Sequence, residues 1–191
     1  MDLRTFLTRS PALSHLASAG SFASKWTCKR LDKGAHLTQQ DEPETGEFIL
    51  LEGCLTSSIL DYDGKEICVG LYVGPCVVTP NIARTRNGVS CVSIVATTDS
   101  SIARIDSRLL SDLMISYEPV RNWANGVLQD ALSQKADREW CLAALRGADR
   151  LKWFRETFPD CENIFTHSLI ASFLGITPVT MSRLRAIDRR S

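Results

Sequence analysis

Between about residues 26 and 105, apolar residues come in short runs, each closed by Gly, Pro, Asn or Asp. This is the texture of a β-domain. Phe48, Ile49, Leu50 and Leu51 make one strand before Glu52 and Gly53. Residues 55–62 and 65–72 flank Asp63 and Gly64, and that pair predicts a hairpin closed by a two-residue type I′ turn. Residues 89–96 and 102–105 give two more strands around the polar turn 97–101, so at least six short strands predict a sandwich or jelly roll.

After Asp106 the period becomes helical. Leu109, Leu110, Leu113 and Met114 mark a short helix ending near Tyr117, and Pro119 is placed to open the next one in its first turn. Val120, Ala124, Val127, Ala131, Gln134, Arg138, Cys141 and Leu145 then recur at alternating steps of three and four, with Trp123, Leu128, Leu132 and Leu142 widening the stripe. Such a helix spans about 35 Å at 1.5 Å per residue. It either lies on its own β-domain or pairs with its copy in a second subunit; the width of the stripe favours the pair, because one small sheet offers too little surface to cover it. Gly147 interrupts the pattern, which resumes at Leu151, Phe154 and Phe158 and stops at Pro159 and Asp160.

Residues 166–190 read as a helix-turn-helix. Ile170 and Leu174 face inward on the first helix, and Ala171 is small where the second helix crosses it. Gly175 supplies the tight turn, Ile176 plugs it, and Met181 and Leu184 anchor the second helix. Thr177 can cap that helix, with Pro178 at its first position. An ordinary corner between two helices shares this interior, so the pattern alone does not require DNA. With Met181 and Leu184 inward, Val179, Thr180, Arg183 and either Ala186 or Arg190 are expected on the outer face. A guanidinium at Arg183 suits guanine O6 and N7, Thr180 and Ser182 suit phosphate oxygens or a thymine methyl, and Thr177 and Val179 are expected on the same DNA-binding surface. Arg185, Arg189 and Arg190 suit the phosphate backbone, although for the last two a solvated tail explains the charge equally well.

Charge sharpens this division. The 191 residues carry 22 Lys plus Arg against 22 Asp plus Glu, which excludes a global basic field. Residues 146–191 hold eight basic and five acidic side chains, a net +3 that leaves −3 on residues 1–145. Seven cysteines without a Cys-x-x-Cys pair are expected to be buried, reduced thiols, with a metal, iron–sulfur or redox-sensing role as the alternative. Cys28, beside Lys25, Lys29 and Arg30, is the one with cationic neighbours in sequence. Residues 5–23 contain no apolar run long enough for a secretory or membrane segment, and a cytoplasmic location is expected. Three scattered histidines and the lack of a catalytic constellation argue against an enzyme.

Several runs resemble the Crp/Fnr family of bacterial transcription regulators: Leu31 to Gly34, Phe48 to Gly53, Asp63 to Glu66 and, above all, Leu169 to Arg185. The resemblance covers about residues 26–190. It implies an α+β fold with a cyclic-nucleotide-binding-like β-roll sensor over 1–117, a dimerisation helix over 118–146 and a DNA-binding helix-turn-helix domain over 147–191. The implied partners are double-stranded DNA, a second copy of the chain, a small-molecule effector and RNA polymerase, with no membrane. The dimer would place its two recognition helices in successive major grooves about 34 Å apart. A hinge is expected near Arg146, Gly147 and Ala148.

The sequence departs from that family in places. Family members that bind cyclic AMP use a Gly-Glu pair and an Arg followed by Ser or Thr; here Val78 and Thr79 stand for the first, Val89 and Ser90 for the second. Arg84 and Arg86 lie between them and could restore an anion site, though solvated loop arginines are the commoner outcome. No cofactor is therefore expected, a cyclic nucleotide is disfavoured, and the effector pocket is expected to be empty, remade or structural. Pro178 and Val179 replace the family's Arg-Glu pair at the start of the recognition helix, no β-wing is expected after residue 191, and the family's N-terminal iron–sulfur cysteines have no counterpart beyond Cys28. The resulting expectation is a dimeric DNA-binding regulator whose pocket has lost the usual cyclic AMP contacts. Its rival is an oligomerising interaction or effector-binding protein with a vestigial helix-turn-helix.

Overall fold

The computed structural model describes residues 1–14 and 21–188. Arg189 and Arg190, assigned to phosphate contacts above, lie outside the described residues. Ten short strands form two four-stranded antiparallel sheets and a small hairpin. One sheet runs β1 (Thr27–Leu31), β10 (Ser100–Asp106), β3 (Gly46–Glu52), β6 (Cys76–Val77). The other runs β2 (His36–Thr38), β9 (Ser93–Ala96), β4 (Cys54–Leu60), β5 (Glu66–Val73). Phe48, Leu50 and Ile102 of the first sheet meet Leu37, Leu55 and Ile94 of the second in a shared core. The alternate residues Ile49, Leu51, Ala103 and Ile105 point the other way, against Leu3 and Leu7 of α1 (Leu3–Thr8), Trp26 and Leu110. Cover on both faces is why residues 48–51 are apolar without alternation.

Two turns differ from expectation. The β4–β5 hairpin closes with three residues rather than two: the Gly64 amide donates to Asp61 O at 3.0 Å, and the Asp61 amide donates to Lys65 O at 3.0 Å. Gly64 has φ +74° while Asp63 keeps a negative φ, which is a type I turn followed by a glycine bulge. The Asp61 carboxylate decides this, because its Oδ1 accepts from the amides of Asp63 (3.0 Å) and Lys65 (2.9 Å). The turn with two positive-φ residues falls instead at Asn87 (φ 52°) and Gly88 (φ 77°). It joins β7 (Thr85–Arg86) to β8 (Val89–Ser90), and the single strand expected over 89–96 is broken at residues 91 and 92 into β8 and β9.

The helical part opens with α3 (Ser107–Ser116), capped by Asp106, whose Oδ1 accepts from Arg108 N at 2.9 Å; a one-turn helix α2 (Asn81–Arg84) precedes β7. Next, α4 (Glu118–Ala144) holds 27 residues, with Pro119 in its first turn. The expected stripe faces this chain: Val120 and Ala124 are buried beside the first sheet, Arg138 reaches β5, and Cys141 is fully covered. Leu132 (70% exposed) and Trp140 (57%) lie with Ala136 on a second ridge, at steps of four, that the other described residues leave exposed. After α4 come α5 (Gly147–Thr157), α6 (Cys161–Ile164), α7 (His167–Phe173) and α8 (Pro178–Asp188). Leu151, Phe154, Phe165, Ile170 and Met181 form their common core, which continues into Cys54 and Cys68 of the β-roll.

All seven cysteines are free thiols. Burial pushes the Cys68 thiol up to about 11 and that of Cys76 to about 12, and raises those of Cys54, Cys141 and Cys161 as well. Cys28 is exposed. Among the described residues no group of three His, Cys, Asp or Glu is placed to hold a metal ion, and no helix is long and apolar enough to cross a membrane.

Candidate nucleic-acid interface and effector cleft

The turn between α7 and α8 is built by three local devices. Thr166 opens α7, its hydroxyl accepting from Leu169 N. At the other end Gly175 (φ +62°) donates to Ser172 O at 3.1 Å and Ile176 donates to Ala171 O at 3.0 Å, the paired bonds that close a helix around a left-handed residue. A side chain at 175 would also meet Arg150 Nη1 at 3.2 Å and Leu142 Cδ2 at 3.3 Å. Thr177 then caps α8 by accepting from Thr180 N at 3.1 Å. Ile170, Leu174 and Met181 are fully buried, so the two helices share the interior the sequence pattern requires.

Two arginines join this unit to the rest of the chain. Arg150 donates to Leu142 O (2.8 Å) and Leu145 O (2.9 Å) at the end of α4 and to Leu174 O (3.0 Å) in the turn. It serves carbonyls that helix ends leave unpaired. Arg138 of α4 stacks 4.7 Å over the Phe173 ring, donates to Phe173 O at 3.0 Å and reaches Cys68 O of β5 at 3.3 Å. The Ser172 hydroxyl in turn accepts from Cys68 N at 2.9 Å. Polar groups on the outer edge of β5 are thus paired with α4 and α7.

The surface of α8 that faces away from this core carries Val179 (60% exposed), Ser182, Arg183, Ala186 and Ile187. Thr177 is exposed at its start. Thr180 is not fully outward: its hydroxyl lies 2.9 Å from that of Thr177, and its methyl approaches Gly147. Arg185 is half-buried, with Nε 2.7 Å from Glu162 Oε1 and Nη1 3.0 Å from His167 Nδ1. Arg155 meets the same carboxylate at 2.7 Å.

This pairing has a pH consequence. Hydrogen bonding from Arg155, then the charges of Arg155 and Arg185, hold the Glu162 carboxyl below the usual glutamate value of 4.5. A depressed carboxylate lends stability that is complete above its unfolded pKa and is lost as pH falls through the folded one. Melting curves of the wild type and of Glu162→Gln, taken between about pH 6 and about pH 3, are therefore expected to lie apart at the upper end and converge toward acid. A gap that stays constant with pH contradicts this account.

The residues matched to the nucleotide cassette do not converge. Val78 is fully buried in the core between the sheets. Ser90 is buried and bonds to Val92 O at 2.7 Å, while Val89 pairs with Arg86 and bridges to Pro43. Arg84 is buried rather than solvated (2% exposed): Nε donates to Thr79 O at 3.0 Å, Nη2 donates to Gly46 O, and Nη1 lies 3.9 Å from Glu44 Oε2. Its donors face protein carbonyls and a carboxylate, which occupies the role an anion would take. Arg86 stays exposed. Thr79 differs, because its hydroxyl lies 2.8 Å from Tyr72 OH on the wall of an open cleft.

That cleft, about 680 Å³, lies between β5, α4 and Phe158 and Phe173 of the C-terminal helices. Its polar wall is Gln134, Lys135, Arg138 and Glu139; its apolar wall includes Val69, Leu71 and Val92. Burial, then the charges of Arg138 and Arg86, pushes the Lys135 ammonium below the usual lysine range. A volume within the range of ligand pockets and a cation-rich wall suit an anionic or hydrogen-bonding small molecule.

Residues 28–117 match the cyclic nucleotide-binding domain family. Among solved structures, the chain is similar to a CooA variant from Carboxydothermus hydrogenoformans, with 18% identity and a TM-score of 0.73 over 96% of this chain and 82% of that one. A protein described as a transcriptional regulator of the Crp/Fnr family, from Eubacterium rectale, shares 20% identity at a TM-score of 0.71, covering 95% and 88%. The c-di-GMP-responsive global regulator CLP of Xanthomonas campestris shares 14% at 0.70, covering 92% of each. No curated protein matches the sequence.

The fold is that of the Crp/Fnr regulators. On this Crp/Fnr scaffold the segment matched to the cassette, 74–96, carries Arg84 turned inward onto Thr79 and Gly46. Sequence reasoning missed Arg138, Arg150 and Lys135. Arg138 was placed on the apolar stripe of α4, where a long cation at a core-facing step is the signal of a buried stem with polar targets.

Proposed function

We propose that the chain is a dimeric DNA-binding transcription regulator of the Crp/Fnr type, in which α8 enters the major groove. The observation that carries this reading is the division of α8: Met181 is fully buried against α7, while Val179, Ser182 and Arg183 stand exposed on the opposite side. Arg183 reads a guanine, Thr180 and Ser182 fit phosphate oxygens or a thymine methyl, and Thr177 and Val179 belong to the same DNA-binding surface. Arg185 reaches phosphate only by leaving Glu162. The exposed ridge of Leu132, Ala136 and Trp140 supplies the dimer contact and spaces the two recognition helices by one turn of DNA.

In this reading residues 1–117 sense, 118–146 dimerise and 147–191 bind DNA, with RNA polymerase as a further partner. The β5–α4 cleft takes a small effector, and not cyclic AMP through the usual contacts, since Val78, Thr79, Val89 and Ser90 offer neither carboxylate nor guanidinium. An effector acts by its differential affinity for two placements of α7 and α8 about the hinge at residues 146–148. Selection of bound fragments from a random DNA pool, at near-physiological salt, tests the reading with Arg183→Ala in parallel. The wild type is expected to enrich a two-fold-symmetric site, and the variant to relax one base position per half-site, a loss of about 1–3 kcal/mol of discrimination. Enrichment of nothing by the wild type overturns it.

A further inference from the structure

A second cleft, of about 270 Å³, opens between β3, β6, α2, α3 and the first half of α4. It shares no lining residue with the 680 Å³ cleft. Trp26, Met114, Trp123 and Leu128 form its wall, and Ile82 stands 73% exposed at its rim. Glu47 is the one ionisable residue in that lining. Its position follows from the pleat of β3: Phe48 turns into the core between the sheets, so its neighbour Glu47 faces the outer side, under α3 and α4.

The Glu47 carboxylate is poorly matched to its surroundings. Oε2 accepts from Asn81 N at 2.9 Å. Of the charges acting on it, Arg84 attracts and Glu44 repels. Arg84 is committed to Thr79 O, Gly46 O and Glu44. Burial accordingly raises the Glu47 pKa. An apolar cleft with one acidic group and no cation of its own is complementary to a charge of the opposite sign on an apolar body.

We propose that this cleft binds a small organic cation, an ammonium group on an apolar body, with the ammonium on Glu47 and the body against Trp123 and Leu128. The apolar wall excludes water from the ion pair. Because β3 and α2 belong to the β-roll while Trp123 and Leu128 belong to α4, an occupant ties these elements together. The inference does not depend on the DNA-binding reading.

Ligand-detected NMR titration of the full chain tests it, with phenethylammonium as probe and 2-phenylethanol and 3-phenylpropanoate as isosteres of neutral and opposite charge. Phenethylammonium is expected to bind saturably and most tightly of the three. Glu47→Gln is expected to weaken it about tenfold, to the level of the alcohol, and to leave the alcohol unchanged. Ser111→Phe, which fills the cleft from the exposed side of α3, is expected to abolish binding of both. Melting temperatures of the two variants establish that they are folded. The proposal is overturned if wild-type protein shows no saturable binding, if Glu47→Gln binds the cation as well as the wild type does, if the carboxylate binds as tightly, or if binding survives Ser111→Phe.

Discussion

Arg84→Met is expected to cost about 3–5 kcal/mol of folding stability, the range for removing one partner of a buried charge pair. Methionine replaces the stem of the side chain, which lies 4.8 Å over the Phe48 ring, but none of its donors. Thr79 O and Gly46 O would each lose a bond, and Glu44, only 10% exposed, would lose its cation. Nη1 makes no hydrogen bond, so the guanidinium contributes through charge and its other two contacts. Urea unfolding of the single variant and of Glu44→Gln/Arg84→Met checks the cause: removing the stranded carboxylate should recover part of the loss. A single-variant loss below about 1 kcal/mol would indicate a guanidinium that is free for a ligand, with only surface worth.

Phe154→Ala is expected to cost a similar amount, about 3–5 kcal/mol, and to lower the melting temperature by roughly 10 °C. The ring is fully buried, 5.3 Å from Phe158 and 6.0 Å from Phe173 between ring centroids. Little can move in to fill the space, because Phe158 and Phe173 are themselves held at 5.6 Å from each other. Phe173 also carries the stack of Arg138 and offers it a carbonyl. The variant is therefore expected to loosen α7 from β5 as well as from α5, read as faster amide exchange at Cys68. Unchanged exchange there would mean that the Cys68–Ser172 bond holds without the aromatic cluster.

The helix-turn-helix was legible because its determinants are close in sequence. Positive φ at Gly175, the Thr177 cap and the inward set Ile170, Leu174 and Met181 all lie within a dozen residues and obey helical periodicity. The β4–β5 hairpin was legible in its strands but not in its turn. Asp-Gly suits two turn types, and the choice fell to the Asp61 side chain, which gathers two amides across the loop. Asn87 and Gly88 carry the stronger two-residue turn signal, and the separate break between β8 and β9 at residues 91 and 92 is masked by the apolar residues on either side of it.

The binding residues divide in the same way. Arg183 is exposed, as helical periodicity requires once Met181 is inward. Arg185, two positions on, is drawn to Glu162, an acid on another helix that no local pattern connects to it. Arg84 and Arg86 look alike in sequence; one is buried over Phe48 and the other is exposed, because the type I′ turn starts directly after Arg86 and turns it outward.

The sequence by itself determined the main strands and helices, the turn at Gly175 and the split of charge between the two parts of the chain, whereas the break after α4 falls at residues 145 and 146, with Gly147 already in α5. The first three depend on periodicity, on backbone freedom at single residues and on counting, all properties of neighbours. The tertiary structure alone decided which arginines are structural. Arg138 finds its carbonyl on a strand 70 residues away and Arg84 finds one 38 residues away. A guanidinium takes whichever acceptors folding brings within about 3 Å, and burial makes leaving those acceptors unpaired costly, so its role is set by the packing of distant segments and not by its neighbours in sequence.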